Sequence, residues 1–168
     1  MAALARCHGG DGARRTPGPT ASRGPTLAVS ASASTTTAGQ IADAVQHGWV
    51  DVAIPAGAFA GDGADSPWSA SVEDALRAGR NVVAHTTRGP DDPRLSAGSV
   101  TAAEVGGTIG RLAGRLARLG LTRDVVVCGG DTSSHALLAM GVSELRVSEQ
   151  FVTAGPICTT ADEAAVAG

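Results

Sequence analysis

The stretch that decides the fold spans residues 125–134 and reads VVVCGGDTSS. A short β-branched run ends at the pair Gly129-Gly130, and helix-capping residue types then precede an apolar run over residues 136–140. This order predicts a strand, a tight turn and the N terminus of a helix. Backbone N–H groups at such a turn lie at the positive end of a helix dipole and can bind phosphate. An ordinary strand-to-helix turn fits the same residues, so both interpretations remain open at this point.

Composition narrows the class of protein. With 168 residues, 43% of them hydrophobic, the chain can bury one core and is expected to form one domain. All 13 basic residues are arginine, which excludes a lysine-based phosphate clamp or a Schiff-base lysine within these residues. The formal net charge is −3 and no basic run with interleaved aromatic residues occurs, so nucleic acid is not an expected partner.

The cysteines and histidines argue against a disulfide framework and a metal site. Cys7, Cys128 and Cys158 lie far apart without a C-x-x-C pair, as is typical of free thiols in a reducing compartment. The four histidines lack metal-binding spacing. No apolar stretch approaches the ~20 residues that span a bilayer. We therefore expect a cytoplasmic protein without a metal site or a membrane partner.

The pattern along the chain predicts an α/β domain. Residues 1–25 are rich in Gly, Pro, Ala and Arg and are predicted to be a disordered tail, with residues 26–168 forming the domain. Strands and helices alternate, which is typical of a mostly parallel sheet with helices on its faces. The strands are predicted at residues 26–30, 49–54, 81–86, 125–128 and 145–147, and the clearest helix at residues 101–119.

Two hydroxyl-rich turns follow predicted strands at the edge where ligands gather in such sheets. One spans residues 30–37 after the first strand, and the other spans residues 129–134 after the fourth. In parallel sheets the carboxyl ends of the strands meet helix N termini, where anions bind. We expect Ser32 and Gly129 to lie near each other, and two such turns together indicate a nucleotide or another phosphorylated ligand.

These blocks resemble a known family. VVVCGGDTSSHALLAMGV, at residues 125–142, looks like the strand–GG[DE]T–helix–LGV signature of the four-carbon acid sugar kinases. SASASTTTAGQI, at residues 30–41, resembles that family's SGSxSPxTxxQI segment. The resemblance covers roughly residues 26–160. These enzymes phosphorylate threonate, erythronate and 3-oxo-tetronate type substrates with ATP.

The resemblance implies that the chain is the family's C-terminal nucleotide-binding domain, with ATP and its Mg²⁺ as cofactors. By the matching positions, Ser32 would contact nucleotide phosphate. The ATP loop would be formed by Gly129, Gly130, Asp131 and Thr132. No catalytic residue is assigned by either motif.

The chain also departs from the family pattern. Ala31 stands where the family prefers glycine, so its backbone approaches phosphate less closely, and Ser134 and His135 replace smaller residues. The substrate domain that precedes this domain in the family, and a lysine-containing glycine-rich segment that follows it, have no counterpart in these residues. We therefore expect an incomplete kinase domain that is inactive alone.

Two other classes of function remain open. One is a non-catalytic nucleotide-binding module that acts with a separately encoded substrate domain. The other is a hydrolase or transferase with a serine nucleophile after the fourth strand. The second is disfavoured because there is no G-x-S-x-G elbow and no His–Asp pair placed to activate Ser133 or Ser134.

Overall fold

The chain alternates strands and helices as the sequence predicts. The structure is a computed structural model that describes residues 24–59, 66–96, 100–152 and 155–160. The elements are, in order, β1 (Thr26–Ser30), α1 (Thr35–Gln46), β2 (Val50–Ala53), α2 (Pro67–Arg77), β3 (Val82–His85), α3 (Ala102–Arg118), β4 (Asp124–Cys128), α4 (Gly130–Met140), β5 (Leu145–Val152) and β6 (Gly155–Thr160). Single 3₁₀ turns lie at Ala56–Phe59 and Pro93–Ser96. The tail predicted at residues 1–25 lies outside the described residues up to residue 23.

The central sheet has four parallel strands in the order β2-β3-β1-β4. The predicted α/β fold with a parallel sheet and helices on its faces is confirmed. In the register of the sheet, Ser30 pairs with His85 on one side and with Cys128 on the other. The carboxyl ends of β1, β3 and β4 therefore lie side by side at one edge of the domain.

The predicted fifth strand is present but does not join the central parallel sheet. The residues expected to add to the main sheet belong to β5, which pairs antiparallel with β6 in a separate two-stranded sheet. Only two positions separate β5 from β6 in the sequence, which is a hairpin connection. A parallel partner would need a crossover of a dozen or more residues, so the short connection decides the pairing.

The main core lies on one face of the central sheet. It contains Leu27 and Val29 of β1 together with apolar side chains of α2 and α3, among them Val72, Leu76, Ile109 and Leu116. On the other face, Ile41 of α1 is buried outside this core cluster. The sheet therefore carries α1 on one face, and α2 and α3 on the other.

Helix α3 carries one apolar stripe that is buried along the middle of the helix and exposed at its end. Ile109, Leu112 and Leu116 are buried, whereas Leu119 is the C-cap residue and is 53% exposed. The helix begins at a capping box, in which the Thr101 hydroxyl accepts from the Glu104 N–H and the Glu104 carboxylate accepts from the Thr101 N–H.

Three glycines on α3 have a packing role that the sequence left open. A Cβ at Gly106 would lie 2.5 Å from Cβ of His135, and one at Gly110 would lie 2.8 Å from Cα of Ala136. At Gly114 the nearest atom would be Cα of Met140 at 3.2 Å. Spaced by four residues, the glycines share one helix face and let the backbone of α4 pack directly on α3.

Across the residues that the structure describes, no helix combines the length and the apolar character that a bilayer span requires.

Candidate functional site

The two hydroxyl-rich turns lie next to each other. The Ala31 N–H donates to the carbonyl oxygen of Cys128 at 3.0 Å, which extends the pairing of β1 and β4 into their turns. A Cβ built at Gly129 would lie 3.7 Å from the carbonyl carbon of Ala31. Ser32 and Gly129, expected to be close, thus belong to two turns in direct contact.

The chain leaves these neighbouring strands toward opposite faces of the sheet. After β1 it enters α1, whose buried Ile41 lies outside the main core. After β4 it enters α4, which packs on α3 and contributes Ala136 to the main core. Open α/β sheets bind ligands where neighbouring strands diverge in this way, so the space beside the carboxyl ends of β1 and β4 is the candidate site and is called the crevice below.

The N terminus of α4 supplies free backbone donors to this crevice. Gly129 is the N-cap, with φ 125° and ψ 119°, and no side chain caps the helix. The first intrahelical donor is Ser133, whose N–H bonds the Gly129 carbonyl at 2.9 Å. The N–H groups of Gly130, Asp131 and Thr132 therefore precede the helical ladder. The backbone conformation that favours glycine lies at Gly129, and Gly130 has ordinary negative φ geometry.

The hydroxyls of this turn contribute less than the sequence suggests. Thr132 is 93% buried, since its exposed fraction is 7%. Ser133 uses its hydroxyl on the carbonyl oxygen of Gly129. Ser134 is exposed on the helix surface. Backbone N–H groups, rather than hydroxyls, are the main donors on the β4 side of the crevice.

Three hydroxyls form a connected group on the β1 side. Ser34 is the N-cap of α1, and its Oγ accepts from the Thr37 N–H at 3.1 Å. Thr37 is buried and donates its own hydroxyl to Oγ of Ser32 at 2.9 Å. Ser32, the residue expected to contact phosphate, is half-buried and oriented by this group. The capping role of Ser34 and the supporting role of Thr37 were not assigned from the sequence.

A charged cluster beside the crevice was not predicted from the sequence. The buried imidazole of His85, at the end of β3, lies 2.7 Å from the Asp51 carboxylate of β2 and 3.2 Å from the Arg94 guanidinium. Burial of the ring and the positive charge of Arg94 lower the pKa of His85 to about 4. The sequence contains one indication of this cluster, because each of the apolar strands VDVA and VVAH includes a polar residue.

The described ranges contain no group of three or more His, Cys, Asp or Glu side chains that could hold a metal ion. Asp131 offers one exposed carboxylate in the first turn of α4. A divalent cation at this edge would therefore have to be shared with the oxygens of a bound ligand.

Comparison with known proteins places these features in a family. Residues 27–167 match the family profile described as "Nucleotide-binding C-terminal domain". A 3-oxo-isoapionate kinase of Paraburkholderia graminis is 32% identical over 148 residues, which cover 78% of this chain and 31% of that protein.

A crystal structure of a domain of unknown function (DUF1537) from Bordetella bronchiseptica, a domain-swapped dimer with bound citrate, has the same fold. It superposes with a TM-score of 0.61 at 27% identity, over 82% of this chain and 33% of that one. The chain thus spans about a third of the length of both relatives. It belongs to the family of C-terminal nucleotide-binding domains of the four-carbon acid sugar kinases.

Proposed function

We propose that this domain binds ATP in the crevice between β1 and β4 and serves as the donor half of a kinase for four-carbon acid sugars. The observation that carries the proposal is the N terminus of α4, which has no side-chain cap and faces the turn that follows β1. Free N–H groups at the positive end of a helix favour phosphate oxygens. Ser32, in the neighbouring turn, would add a hydroxyl donor by releasing its hydrogen bond to Oγ of Ser34.

Mg²⁺ fits this site as a companion of the nucleotide. The exposed Asp131 carboxylate lies in the same first turn as the free N–H groups, and it would repel a bare triphosphate. Mg²⁺ prefers oxygen ligands and is commonly held by one or two carboxylates plus substrate phosphates. When bound, it would neutralise phosphate charge and favour phosphoryl transfer. We assign Gly129, Gly130, Asp131 and Thr132 to the ATP loop on these grounds.

The acceptor side of the reaction is proposed from the kinase relative. The name of that relative, a 3-oxo-isoapionate kinase, supports an acid sugar as phosphoryl acceptor. The threonate, erythronate or 3-oxo-tetronate type is proposed from the resemblance of the sequence motifs. Because the chain spans about a third of its relatives, we infer that acceptor binding needs residues beyond this domain. The domain alone should then transfer phosphate poorly. The cytoplasm, which supplies Mg²⁺-bound ATP and keeps thiols such as Cys128 reduced, is the compartment we propose.

A non-catalytic role is the second candidate. In it, the domain binds nucleotide and works with a separately encoded substrate domain. Both candidates predict ATP binding. They differ in whether adding a substrate domain of a relative to the purified chain produces acid-sugar-dependent ATP consumption.

Calorimetry with ATP and Mg²⁺ tests the shared prediction. Gly129→Ala strains the backbone at φ 125° inside the crevice, whereas Gly48→Ala strains it at φ 85° beyond the opposite end of α1. Neither added Cβ meets an atom closer than 3.7 Å. Both variants should lose stability, Gly129→Ala more so because φ 125° with ψ 119° lies further outside the left-handed region that alanine can adopt, and only Gly129→Ala should lose ATP affinity. Equal ATP affinity in the two variants would remove this crevice as the phosphate site.

A further inference from the structure

The charged cluster ties a loop to the sheet. His85 Nε2 lies 2.7 Å from Asp51 Oδ1, and Arg94 Nη2 lies 3.2 Å from His85 Nδ1. Arg94 Nη1 also donates to the His85 carbonyl oxygen at 3.3 Å. In the loop itself, Asp92 accepts from the side chain of Arg94 at 2.6 Å and from the N–H of Arg88 at 2.7 Å. The loop after β3 is thus attached to β2 and β3 through the imidazole of His85 and through the Arg88–Asp51 ion pair.

The chemistry of the partners assigns the tautomer of that imidazole. A guanidinium can only donate, so Nδ1 of His85 accepts from Arg94 and carries no proton. The proton then sits on Nε2 and is donated to the Asp51 carboxylate. Arg88 pairs with the second oxygen of the same carboxylate. In this cluster, the donor or acceptor role of each group follows from that of the neighbouring group.

The attached loop forms one wall of a groove beside the crevice. The groove has a volume of about 440 Å³ and lies between Thr35 and Ala38 of α1 and the loop residues 88–93. The two walls approach each other closely at Gly89, where a Cβ would lie 2.9 Å from Cβ of Ala38. Thr35 directly follows Ser34, so the groove continues from the hydroxyl group on the β1 side of the crevice.

We propose that this groove receives the nucleoside part of ATP, and that Asp51, His85 and Arg94 act as positioning residues that hold its loop wall in place. The inference rests on the proposed function, because it requires the triphosphate to lie in the crevice between β1 and β4. The three residues are not catalytic residues, since they act on the ligand through the loop.

The lining of the groove suits a base and a sugar. Its walls include the apolar side chains of Ala38, Pro90 and Pro93, which can cover the faces of a purine. Polar groups stand among them, notably Thr35 and the exposed carboxylate of Asp91, which can accept from ribose hydroxyls. Small-molecule sites typically combine apolar walls with a few polar groups in roughly 300–1,000 Å³.

Binding of ATP and of inorganic tripolyphosphate, each with Mg²⁺, distinguishes the groove from the crevice, because tripolyphosphate has no nucleoside to occupy the groove. Arg94→Gln removes the contacts of Arg94 with His85 and Asp92 and leaves the Arg88–Asp51 ion pair, while His85→Leu removes both ring contacts at similar volume. His85→Gln keeps one donor and one acceptor about as far apart as the two ring nitrogens, so it should restore binding. The matched control is Arg77→Gln, which removes an exposed guanidinium from the ion pair with Glu73 on α2.

We expect Arg94→Gln and His85→Leu to weaken ATP binding at least tenfold and to leave tripolyphosphate binding within twofold of the parent chain. His85→Gln and Arg77→Gln should bind both ligands as the parent does. If His85→Leu does not fold, Arg94→Gln alone decides. Equal losses for the two ligands, or no loss for either, would overturn the groove assignment. A parent chain that binds neither ligand would instead overturn the proposed function.

Discussion

Replacing Gly110 of α3 with alanine should destabilise the domain, although alanine is the better helix former. The exposed side of a helix would gain about 1 kcal/mol from this change. At Gly110, however, the added Cβ would lie 2.8 Å from Cα of Ala136 and 2.9 Å from its carbonyl carbon. These are backbone atoms of α4, so no change of side-chain rotamer can relieve the overlap.

The magnitude follows from the two opposing terms. Overpacking a well-packed interior costs about 1–3 kcal/mol, and a clash with backbone belongs at the upper end. Subtracting the propensity gain of about 1 kcal/mol leaves a net loss of about 2 kcal/mol. Gly107→Ala is the matched control, because its Cβ would meet only the flexible end of the Arg111 side chain, at 3.1 Å. That control should gain about 0.5–1 kcal/mol.

Urea unfolding of the two variants measures the difference directly. We expect the free energy of unfolding of Gly107→Ala to exceed that of Gly110→Ala by about 3 kcal/mol, which is the sum of the two opposite effects. This difference corresponds to roughly 6–12 °C in thermal midpoint. Because α4 begins at the proposed ATP loop, Gly110→Ala should also weaken ATP binding. Equal stability of the two variants would refute the direct backbone packing of α4 on α3.

Three further outcomes are expected. Because the folded state lowers the pKa of His85, the neutral imidazole makes its full contribution to stability above pH 6.5. This contribution is lost as the pH falls toward 4. The loss of stability is at most about 3 kcal/mol, because the Asp51 carboxylate partly favours the charged ring. Urea unfolding of His85→Gln should therefore show a flatter pH dependence over that window. Ser34→Ala removes the cap of α1 and should cost about 1 kcal/mol, as should Ser66→Ala at α2, but in calorimetry only the first should reduce ATP affinity. Deleting residues 1–23 should leave the thermal midpoint unchanged, whereas deletion through Pro25 should lower it, because the carbonyl of Pro25 accepts from the buried hydroxyl of Thr122.

The sequence was sufficient for local structure and for the proximity of the two hydroxyl-rich turns. Alternation of apolar strands with glycine-terminated helices gave β1 to β4 and α1 to α4, because each element follows from its own residues and caps. The pairing of β5 depended on a partner further along the chain, so three residues, Leu145 to Val147, could not reveal it. The prediction for Ser32 and the ATP loop as nucleotide contacts still awaits a binding measurement.

Two features depended on distant contacts and were therefore inaccessible to local patterns. Gly110 is an unfavourable helix residue until α4 is placed on it, and the sequence does not say which helix lies there. His85 has no sequence neighbour that explains its burial, since its partner Asp51 lies 34 residues away. Both features concern the surroundings of the crevice rather than its motifs.

The strand order also governs when the chain can become functional during synthesis. β1 is made first, yet it is an interior strand whose partners β3 and β4 are synthesised much later. The contacts that flank it join residues 55 and 97 positions apart in sequence. Such distant pairing slows folding, because the connecting chain must be ordered before the contacts form. The crevice exists only once β4 has paired with β1, so a nascent chain released before residue 128 would lack the part of the proposed site that binds phosphate.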